Sequence, residues 1–307
     1  MPWLNHPGYV PLRDDLITRV GQHEVRFRHT PVVLFLCGKF KSPLREELAK
    51  YIRQSFPEHL LFYAEDVWDD IATTGVGEDN ALELEARLAA LADAVILVVE
   101  SPGTFAELGA FAVSVDLRRK LLPVCDKHYE TADSFLNLGP LKWVAQQSSF
   151  KPPIQADFDV ILLSASELDD RLARIPSPQS RSVRSVDVAS GKELVFLVAD
   201  LVALLAPVTE THLKYYLDGI IGERRRLSVR SLLGLGVAMR LLKRVSPPSR
   251  RFPHYYYSIN GLSQAYTEPV RQRRGVAELS RQRMRVLAFL QQHDAAREML
   301  EVIWDRK

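Results

Sequence analysis

Apolar runs alternate with helix-like stretches up to about residue 165 of the chain. The run Ala94–Val99 is apolar throughout, a pattern typical of a strand that is covered on both faces, as in a parallel sheet. Further strands are predicted at residues 31–37, 59–64, 120–125 and 158–163, and helices at 43–56, at 80–92 and from Thr104 onward. This order predicts an α/β fold, a mostly parallel Rossmann-like sheet with helices on both faces.

The pattern also divides the chain into three segments. Residues 1–30 are predicted to be an N-terminal extension, residues 31–206 the α/β domain, and residues 207–307 a second domain. The stretch 176–190 is rich in Ser, Pro and Arg and has no periodicity, which indicates an exposed loop. A helix predicted at 193–205 closes the α/β domain.

The second domain has a helical pattern followed by a hairpin-like one. Helices are predicted at 212–221 and 229–245, the latter capped by Ser228 and weakened by Gly234 and Gly236. The segment 247–259 is a basic turn or hairpin arm that leads into a strand. Two helices followed by a basic hairpin predict a winged helix-turn-helix-like domain, in which a helix enters a groove of nucleic acid and the hairpin contacts the backbone.

Basic side chains of this second domain are the predicted phosphate contacts. They are Arg224, Arg225, Arg226, Arg230, Lys243, Arg244, Arg250 and Arg251. One of the three tyrosines at 255–257 is a candidate for stacking on a base, although at least one of them should face the core. A winged fold that contacts only protein is the alternative interpretation.

Composition indicates a large core and an intracellular setting. The chain has 307 residues, of which 47% are hydrophobic, enough for two domains. Cys37 and Cys125 fall in predicted strands without disulfide or metal-site spacing, which favours inert thiols in a reducing cytoplasm. Export is not predicted, because the chain does not open with a basic segment followed by an apolar run. Membrane insertion is not predicted either, because Asp200 interrupts the apolar stretch 194–206, which is also too short to span a bilayer.

The net charge of +2 conceals a strong asymmetry along the chain. Residues 1–205 carry 21 Lys and Arg against 29 Asp and Glu, whereas residues 206–307 carry 19 against 9. Such a basic half most often binds an anionic partner, above all nucleic acid. A basic surface that has no polyanionic partner is the alternative.

The segment SPGTFAELG at 101–109 directly follows the central apolar run. A turn at the carboxyl end of a strand lies where open α/β sheets bind their ligands. A helix that begins at Thr104 would offer backbone N–H groups to a phosphate. Glu107 is then either the second half of a capping box with Thr104 or a nucleophile at the mouth of the crevice. Gly109 is expected to let this helix pack close to the sheet.

This segment resembles the signature of nucleoside 2-deoxyribosyltransferases and related N-glycosidases. The resemblance implies a nucleoside deoxyribosyltransferase-like sheet, with Glu107 attacking the anomeric carbon and with Gly103 and Thr104 in the turn that binds sugar or phosphate. It also makes Asp79 a candidate for the family's base- or sugar-contacting aspartate. The transferases carry an aspartate where this chain has Ser101, a difference that argues against ordinary deoxynucleoside exchange.

The order of the two domains resembles the effector of a bacterial retron. In these anti-phage systems a reverse transcriptase and its hybrid RNA–DNA product, the msDNA, hold the effector. The resemblance implies a toxic, cytoplasmic N-glycosidase within a larger, oligomeric complex. It implies further that this enzyme depletes NAD when it is released or triggered.

The chemistry can also be argued from the bond itself. An N-glycosidic bond to nicotinamide already has a cationic leaving group, so its cleavage needs a carboxylate under the anomeric carbon more than it needs a general acid. Glu107 is suited to that role, and the aspartates at 66, 69 and 79 are either sugar contacts or solvated loop residues. The candidate substrate-binding residues are Gly38, Phe40, Asp66, Asp69, Asp79, Ser101, Gly103 and Thr104.

Two functions from different classes are compatible with the sequence. The first is an N-glycosidase acting on NAD or a related nucleotide, with a reverse transcriptase and msDNA as partners. The second is a non-enzymatic nucleic-acid-binding regulator that has a nucleotide-sensing α/β domain. No cofactor and no metal are predicted, because the glycine fingerprint of dinucleotide-binding folds is absent after the first strand and the eight histidines have no ligand spacing.

Overall fold

A computed structural model describes residues 3–21, 25–27, 30–67, 81–177, 181–183, 190–222, 228–246, 254–261, 265–269 and 275–304. The chain divides into two compact units, one of Pro31–Pro178 and one of Met1–Thr30 together with Gln179–Lys307. This division does not coincide with the predicted boundary at 206/207. Residues 1–30, expected to be an extension, belong to the same unit as the C-terminal half.

Strands and helices are labelled in chain order within the described residues. The strands are β1 (Val25–Phe27), β2 (Val33–Cys37), β3 (Leu60–Phe62), β4 (Ala94–Val99), β5 (Leu121–Asp126), β6 (Ile154–Ala156), β7 (Arg181–Val183), β8 (Val208–Thr209), β9 (Leu242–Val245), β10 (Tyr255–Ser258) and β11 (Thr267–Pro269). The α-helices are α1 (Val10–Gly21), α2 (Pro43–Ser55), α3 (Ala81–Leu91), α4 (Pro102–Val113), α5 (Val115–Lys120), α6 (Lys142–Gln147), α7 (Ala165–Leu172), α8 (Gly191–Leu205), α9 (Glu210–Ile221), α10 (Val229–Ala238), α11 (Gly275–Gln291) and α12 (Asp294–Trp304).

The unit Pro31–Pro178 is built on a parallel sheet in the strand order β3-β2-β4-β5-β6. Every residue of β2 and β4 is buried, as the uninterrupted apolar runs predict. The order of strands reverses between β2 and β4, and ligands of such sheets bind at the carboxyl ends of the strands at this point. The prediction of an α/β fold with a mostly parallel sheet is confirmed.

The helix after β2 begins as its sequence predicts. The Ser42 hydroxyl accepts a hydrogen bond from the backbone N–H of Arg45 at 3.3 Å, and Pro43 is the first helical residue. Proline suits this position because its missing N–H would have no partner inside the helix. This cap fixes the start of α2 and thereby the position of Arg45, a residue of the candidate site.

The prediction of a strand at 158–163 is wrong. Strand β6 lies before that segment, and Ile161–Ser164 is a short 3₁₀ helix. The side chain of Asp157 accepts a hydrogen bond from the backbone N–H of Asp159 at 3.0 Å and so forms a turn. Ile161 is buried but Leu163 is 73% exposed, because the apolar run presents a single face to the core.

The second unit contains two antiparallel sheets, in the orders β8-β10-β9 and β11-β1-β7. Strand β7 falls inside the stretch 176–190 that was expected to be a loop. Helix α8 is almost entirely buried and begins with a capping box between Ser190 and Glu193. Among the described residues, no helix has both the length and the apolar character needed to cross a membrane.

The helix predicted at 229–245 ends early. Helix α10 stops at Ala238, Arg240 adopts a positive φ of 56°, and the chain turns back as β9. A Cβ on Gly236 would lie 2.6 Å from the Leu242 side chain, so glycine at 236 gives this side chain of the returning strand room to pack on the helix. The three tyrosines at 255–257 are all buried, so the expectation of a ring for base stacking is wrong.

The buried carboxylate of Asp200, on helix α8, binds the backbone at the start of β11. Asp200 is 6% exposed and accepts hydrogen bonds from the backbone N–H of Thr267 at 2.7 Å and of Tyr266 at 3.0 Å. The Thr267 hydroxyl donates a further bond to it at 2.6 Å. The carboxylate that interrupts the apolar pattern of 194–206 therefore has a structural role.

We expect Asp200→Ala to lower the free energy of unfolding by about 3 kcal/mol, because it leaves two backbone donors without their charged acceptor. Urea denaturation of the full chain measures this loss. The control is Asp294→Ala, which removes a side chain that is 91% exposed and should cost less than about 0.5 kcal/mol. Equal midpoints for the two variants would contradict the structural role of Asp200.

Candidate active site

The N-cap of helix α4 lies three residues earlier than its sequence suggested. Ser101 is the N-cap, and its hydroxyl accepts a hydrogen bond from the Thr104 N–H at 3.4 Å. The Thr104 hydroxyl in turn accepts a bond from the Ser101 N–H at 2.9 Å, which completes a capping box. The predicted capping box between Thr104 and Glu107 is therefore wrong, and the cap makes no use of the Glu107 carboxylate.

Thr104 shapes the turn through its hydroxyl. This oxygen also accepts a bond from the Glu100 N–H at 2.9 Å and donates one to the Ser101 carbonyl at 2.8 Å. Because its hydrogen bonds are all made within the turn, the hydroxyl is not placed to hold a phosphate or a ribose. The packing reason given for Gly109 is also wrong, since a Cβ at that position would meet no atom within 4 Å.

A cavity of about 340 Å³ lies where the chain leaves β2, β3 and β4. Its lining residues are Gly38, Lys39, Phe40, Arg45, Ala64, Glu65, Glu85, Ser101, Gly103, Thr104 and Glu107. Most of the candidate residues named from the sequence therefore meet in one place. Asp66 is exposed and outside this lining, with its carboxylate 3.4 Å from the Tyr63 N–H. Asp69 and Asp79 lie outside the described residues.

Glu107 has an unusual electrostatic environment in this cavity. Its Oε2 atom is buried and has no hydrogen-bond partner within the described part of the chain. Burial, followed by the negative charge of Glu85, raises the pKa of Glu107 to about 8, against the opposing effect of Arg45. Burial and the charge of Glu65 raise the pKa of Glu85 as well. A titratable group perturbed in this way within a cleft is typical of a functional site.

Arg45 supplies a buried positive charge to this acidic site. Its side chain is 3% exposed, donates to the Gly38 carbonyl at 3.3 Å and forms a two-pronged ion pair with Glu65. The guanidinium also lies over the Tyr63 ring, 4.5 Å from its centre. A Cβ on Gly38 would lie 3.0 Å from Arg45, so glycine leaves room for this side chain to pass.

Arg45, Glu65 and Glu85 were not identified from the sequence. Arg45 does carry a signal, since a cation in the first turn of a helix opposes the helix dipole and needs a compensating anion nearby. Glu65 follows β3 and therefore reaches the same edge of the sheet. Glu85 lies on a helix predicted from its apolar pattern, and nothing in that pattern sets it apart from other acidic residues.

Both cysteines are buried free thiols. Burial raises the pKa of Cys125 to about 12 and also raises the pKa of Cys37. Neutral buried thiols are poor nucleophiles and poor metal ligands.

The basic residues predicted to contact phosphate are only partly described. Lys243 and Arg244 are exposed side chains of β9. Arg230 is half-buried and donates twice to one oxygen of Glu210, at 3.0 and 3.1 Å. The predicted contacts that lie outside the described residues are Arg224, Arg225, Arg226, Arg250 and Arg251.

Comparison with known families identifies the type of protein. A family model described as the STM3845 retron effector protein matches residues 41–244, well over half of the chain. The chain belongs to this family of retron effectors. The match covers the cavity-lining residues from Arg45 to Glu107, but not Gly38, Lys39 and Phe40, and it ends within strand β9.

Two curated relatives come from Escherichia coli. One, of retron Ec86, is 37% identical over 121 residues, and the other, of retron Ec73, is 40% identical over 121 residues. Both are named as proposed ribosyltransferase/DNA-binding proteins. The alignments cover 38% of this chain and 39% and 38% of the two relatives, so the matched region spans about two fifths of each. The expectation of a retron effector is confirmed at the level of the family.

Proposed function

We propose that this retron effector is a toxic N-glycosidase that cleaves the nicotinamide–ribose bond of NAD or a related nucleotide, with Glu107 as the nucleophile. The observation that carries the proposal is the Glu107 oxygen, which is buried in the cavity at the carboxyl ends of β2 and β4 and has no hydrogen-bond partner among the residues that the structure describes. A carboxylate meant to interact with an anomeric carbon must keep one oxygen unengaged. The names of the two relatives agree with glycosyl transfer as the class of chemistry.

The charge of the substrate fits the charge of the site. With a pKa of about 8, Glu107 is largely protonated in the empty cavity at neutral pH. A cationic nicotinamide ring brought beside it lowers that pKa, because an opposite charge favours the ionised carboxylate. A neutral deoxynucleoside brings no positive charge to lower the pKa of Glu107. Its base is also a poorer leaving group, because the base is not cationic. The site therefore favours a substrate with a cationic leaving group.

The proposed reaction is a displacement at C1′ of the ribose. The bond from C1′ to the ring nitrogen breaks, nicotinamide leaves as a neutral molecule with the bonding electrons, and a Glu107 oxygen bonds to or stabilises C1′. Water then attacks C1′, the bond between C1′ and the Glu107 oxygen breaks with its electrons returning to the carboxylate, and the proton of the water passes to another carboxylate of the cavity. Glu65 and Glu85 are the available acceptors and also the candidates to bind ribose hydroxyls.

The pH dependence of turnover tests this role. We expect kcat/KM for NAD to rise with pH up to about 8 and then to level, because the free enzyme must lose the Glu107 proton before the carboxylate can act. The measurement is the initial rate of nicotinamide release, at NAD concentrations well below KM, across the pH range. A kcat/KM that falls above pH 8 would mean that Glu107 works as an acid and would overturn the nucleophile assignment.

We propose also that the C-terminal half folds as a winged-helix-like domain and binds the phosphates of msDNA within a larger, oligomeric complex with the reverse transcriptase. The excess of Lys and Arg after residue 205 and the exposed Lys243 and Arg244 support this proposal. Arg230 should contribute less to binding, because Glu210 already engages its guanidinium.

We expect the reversal of Arg224, Arg225 and Arg226 to Glu to release the effector from msDNA. In wild type the logarithm of affinity should fall linearly with the logarithm of salt concentration, and the triple reversal should lower that slope by about 2 to 3, since each phosphate contact contributes about 0.9. The matched control reverses the exposed Lys142 and Lys151 of the other unit and should leave binding unchanged. Binding that ignores both salt and the arginines would point to a protein contact with the reverse transcriptase.

A further inference from the structure

A second cavity, of about 550 Å³, lies at the carboxyl ends of β4 and β5 and beside β6. It includes Glu100 and Phe105, which flank the first turn of α4, whereas the turn itself lines the Glu107 cavity. The backbone N–H of Lys39, a lining residue of the Glu107 cavity, donates a hydrogen bond to the Glu100 carboxylate of the second cavity at 3.2 Å. The volume is in the range of ordinary small-molecule sites.

The outer wall of this second cavity is held in place by Asn137. Its side-chain amide donates to the Tyr129 carbonyl at 2.9 Å and to the Ala132 carbonyl at 2.7 Å. These bonds hold the backbone of the segment after β5, from which the Tyr129 ring, 69% exposed, contributes to the lining. Phe105 contributes a second aromatic ring, 40% exposed. Exposed rings in a fixed frame are suited to stack on a flat ligand.

The polar groups of the cavity restrict what that ligand can be. Glu100 and Asp126 line it with carboxylates, which repel phosphate and accept hydrogen bonds. Gln155 adds a side-chain amide whose Oε1 atom is buried without a partner in the described residues. Because this oxygen has no hydrogen bond within the described residues, a ligand that donates one to it satisfies a buried acceptor.

We propose that the second cavity binds an adenine base, with any phosphates left outside. A glutamine amide recognises adenine through two hydrogen bonds, accepting one from the 6-amino group and donating one to the neighbouring ring nitrogen. The 6-amino group also suits a cavity rich in carboxylates. Guanine and hypoxanthine present an oxygen at that position and are rejected by the same groups. This inference concerns binding alone and goes beyond the proposed glycosidase activity.

Calorimetric titration of the full protein with adenosine and with inosine tests the proposal. We expect saturable binding of adenosine. The affinity for inosine should be lower by a factor of roughly ten or more, since inosine would leave the buried oxygen of Gln155 unpaired. Gln155→Leu should reduce the affinity for adenosine by a similar factor and remove the discrimination. Tyr129→Ala, at an exposed position, should weaken both nucleosides, whereas the control Phe135→Ala, 84% exposed and outside the lining, should change nothing.

The Glu107→Gln variant distinguishes the two cavities and is independent of turnover. We expect it to bind adenosine as wild type does. Loss of adenosine binding in this variant, together with unchanged binding in Gln155→Leu, would place the base in the Glu107 cavity and overturn the proposal. Absence of saturable binding to wild type, or equal affinities for adenosine and inosine, would overturn it too.

The affinity of NAD for the double variant Glu107→Gln, Gln155→Leu identifies the source of the adenine. A lower NAD affinity than that of Glu107→Gln alone would identify the adenine as part of the substrate. An unchanged NAD affinity would identify a separate adenine nucleoside or nucleotide.

Discussion

Replacing Glu107 by Gln should abolish toxicity and lower kcat/KM for NAD by roughly 10³-fold or more, as removal of a covalent nucleophile does in other enzymes. Glutamine is nearly isosteric with glutamate but offers no negative charge to C1′. Since Ser101 and Thr104 make the helix cap, the substitution leaves the start of α4 intact. Wild-type turnover in the folded variant would contradict the assignment of Glu107.

The same variant should be more stable than wild type above pH 5. The pKa of Glu107 is raised from 4.5 to about 8, so between these values the folded state holds a proton that the unfolded state has lost, and the stability of wild type falls as pH rises. Glutamine removes this penalty, which we expect to be about 1 kcal/mol after solvent screening in the open cavity. Thermal denaturation at pH 4 and pH 8 measures it. Glu301→Gln, at an exposed position, is the control and should show no pH-dependent gain.

Replacing Arg45 by Met should lower the free energy of unfolding by about 3 kcal/mol or more, because it leaves the partly buried Glu65 without its ion-pair partner. The variant should also move the midpoint of the kcat/KM profile to higher pH, since Arg45 lowers the pKa of Glu107. Arg45→Lys should restore part of the stability, as lysine keeps the charge but not the two-pronged geometry.

The matched control for Arg45 is Arg53→Met. Arg53 lies on the same helix and over the same Tyr63 ring, 5.4 Å from its centre, but it is more exposed and does not line the cavity. We expect its loss to cost less than about 1 kcal/mol and to leave the pH profile unchanged. Equal effects of the two substitutions on stability and on pH dependence would contradict the role given to Arg45.

The parallel sheet and the position of Glu107 could be predicted because both depend on local sequence. The apolar runs of β2 and β4 predict strands buried on both faces, and Ser42 and Pro43 predict the start of α2. A turn that follows a strand of a parallel sheet lies at its carboxyl edge whatever the details of packing. For this reason most of the candidate residues were found to share one cavity.

The parts that failed depend on contacts distant in sequence. Helix α10 ends at Ala238 and the chain returns so that Leu242 packs on Gly236, a contact that a helical periodicity of 229–245 does not reveal. The cluster of Arg45, Glu65 and Glu85 comes from three separate elements, so no spacing along the chain predicts it. The cap of α4 shows the opposite limit, since Thr104 was predicted to cap this helix and the structure has Ser101 in that position, with Thr104 as its partner in the capping box.

Free nicotinamide, measured over time after NAD is added to the effector alone and to its complex with the reverse transcriptase and msDNA, tests the central claim most directly. The proposed function predicts that wild type releases many molecules of nicotinamide per molecule of enzyme in at least one of these two states. The Glu107→Gln variant should release none in either state. A folded wild-type protein that releases no nicotinamide in either state, or a Gln variant that releases as much as wild type, would contradict the claim that Glu107 cleaves this bond.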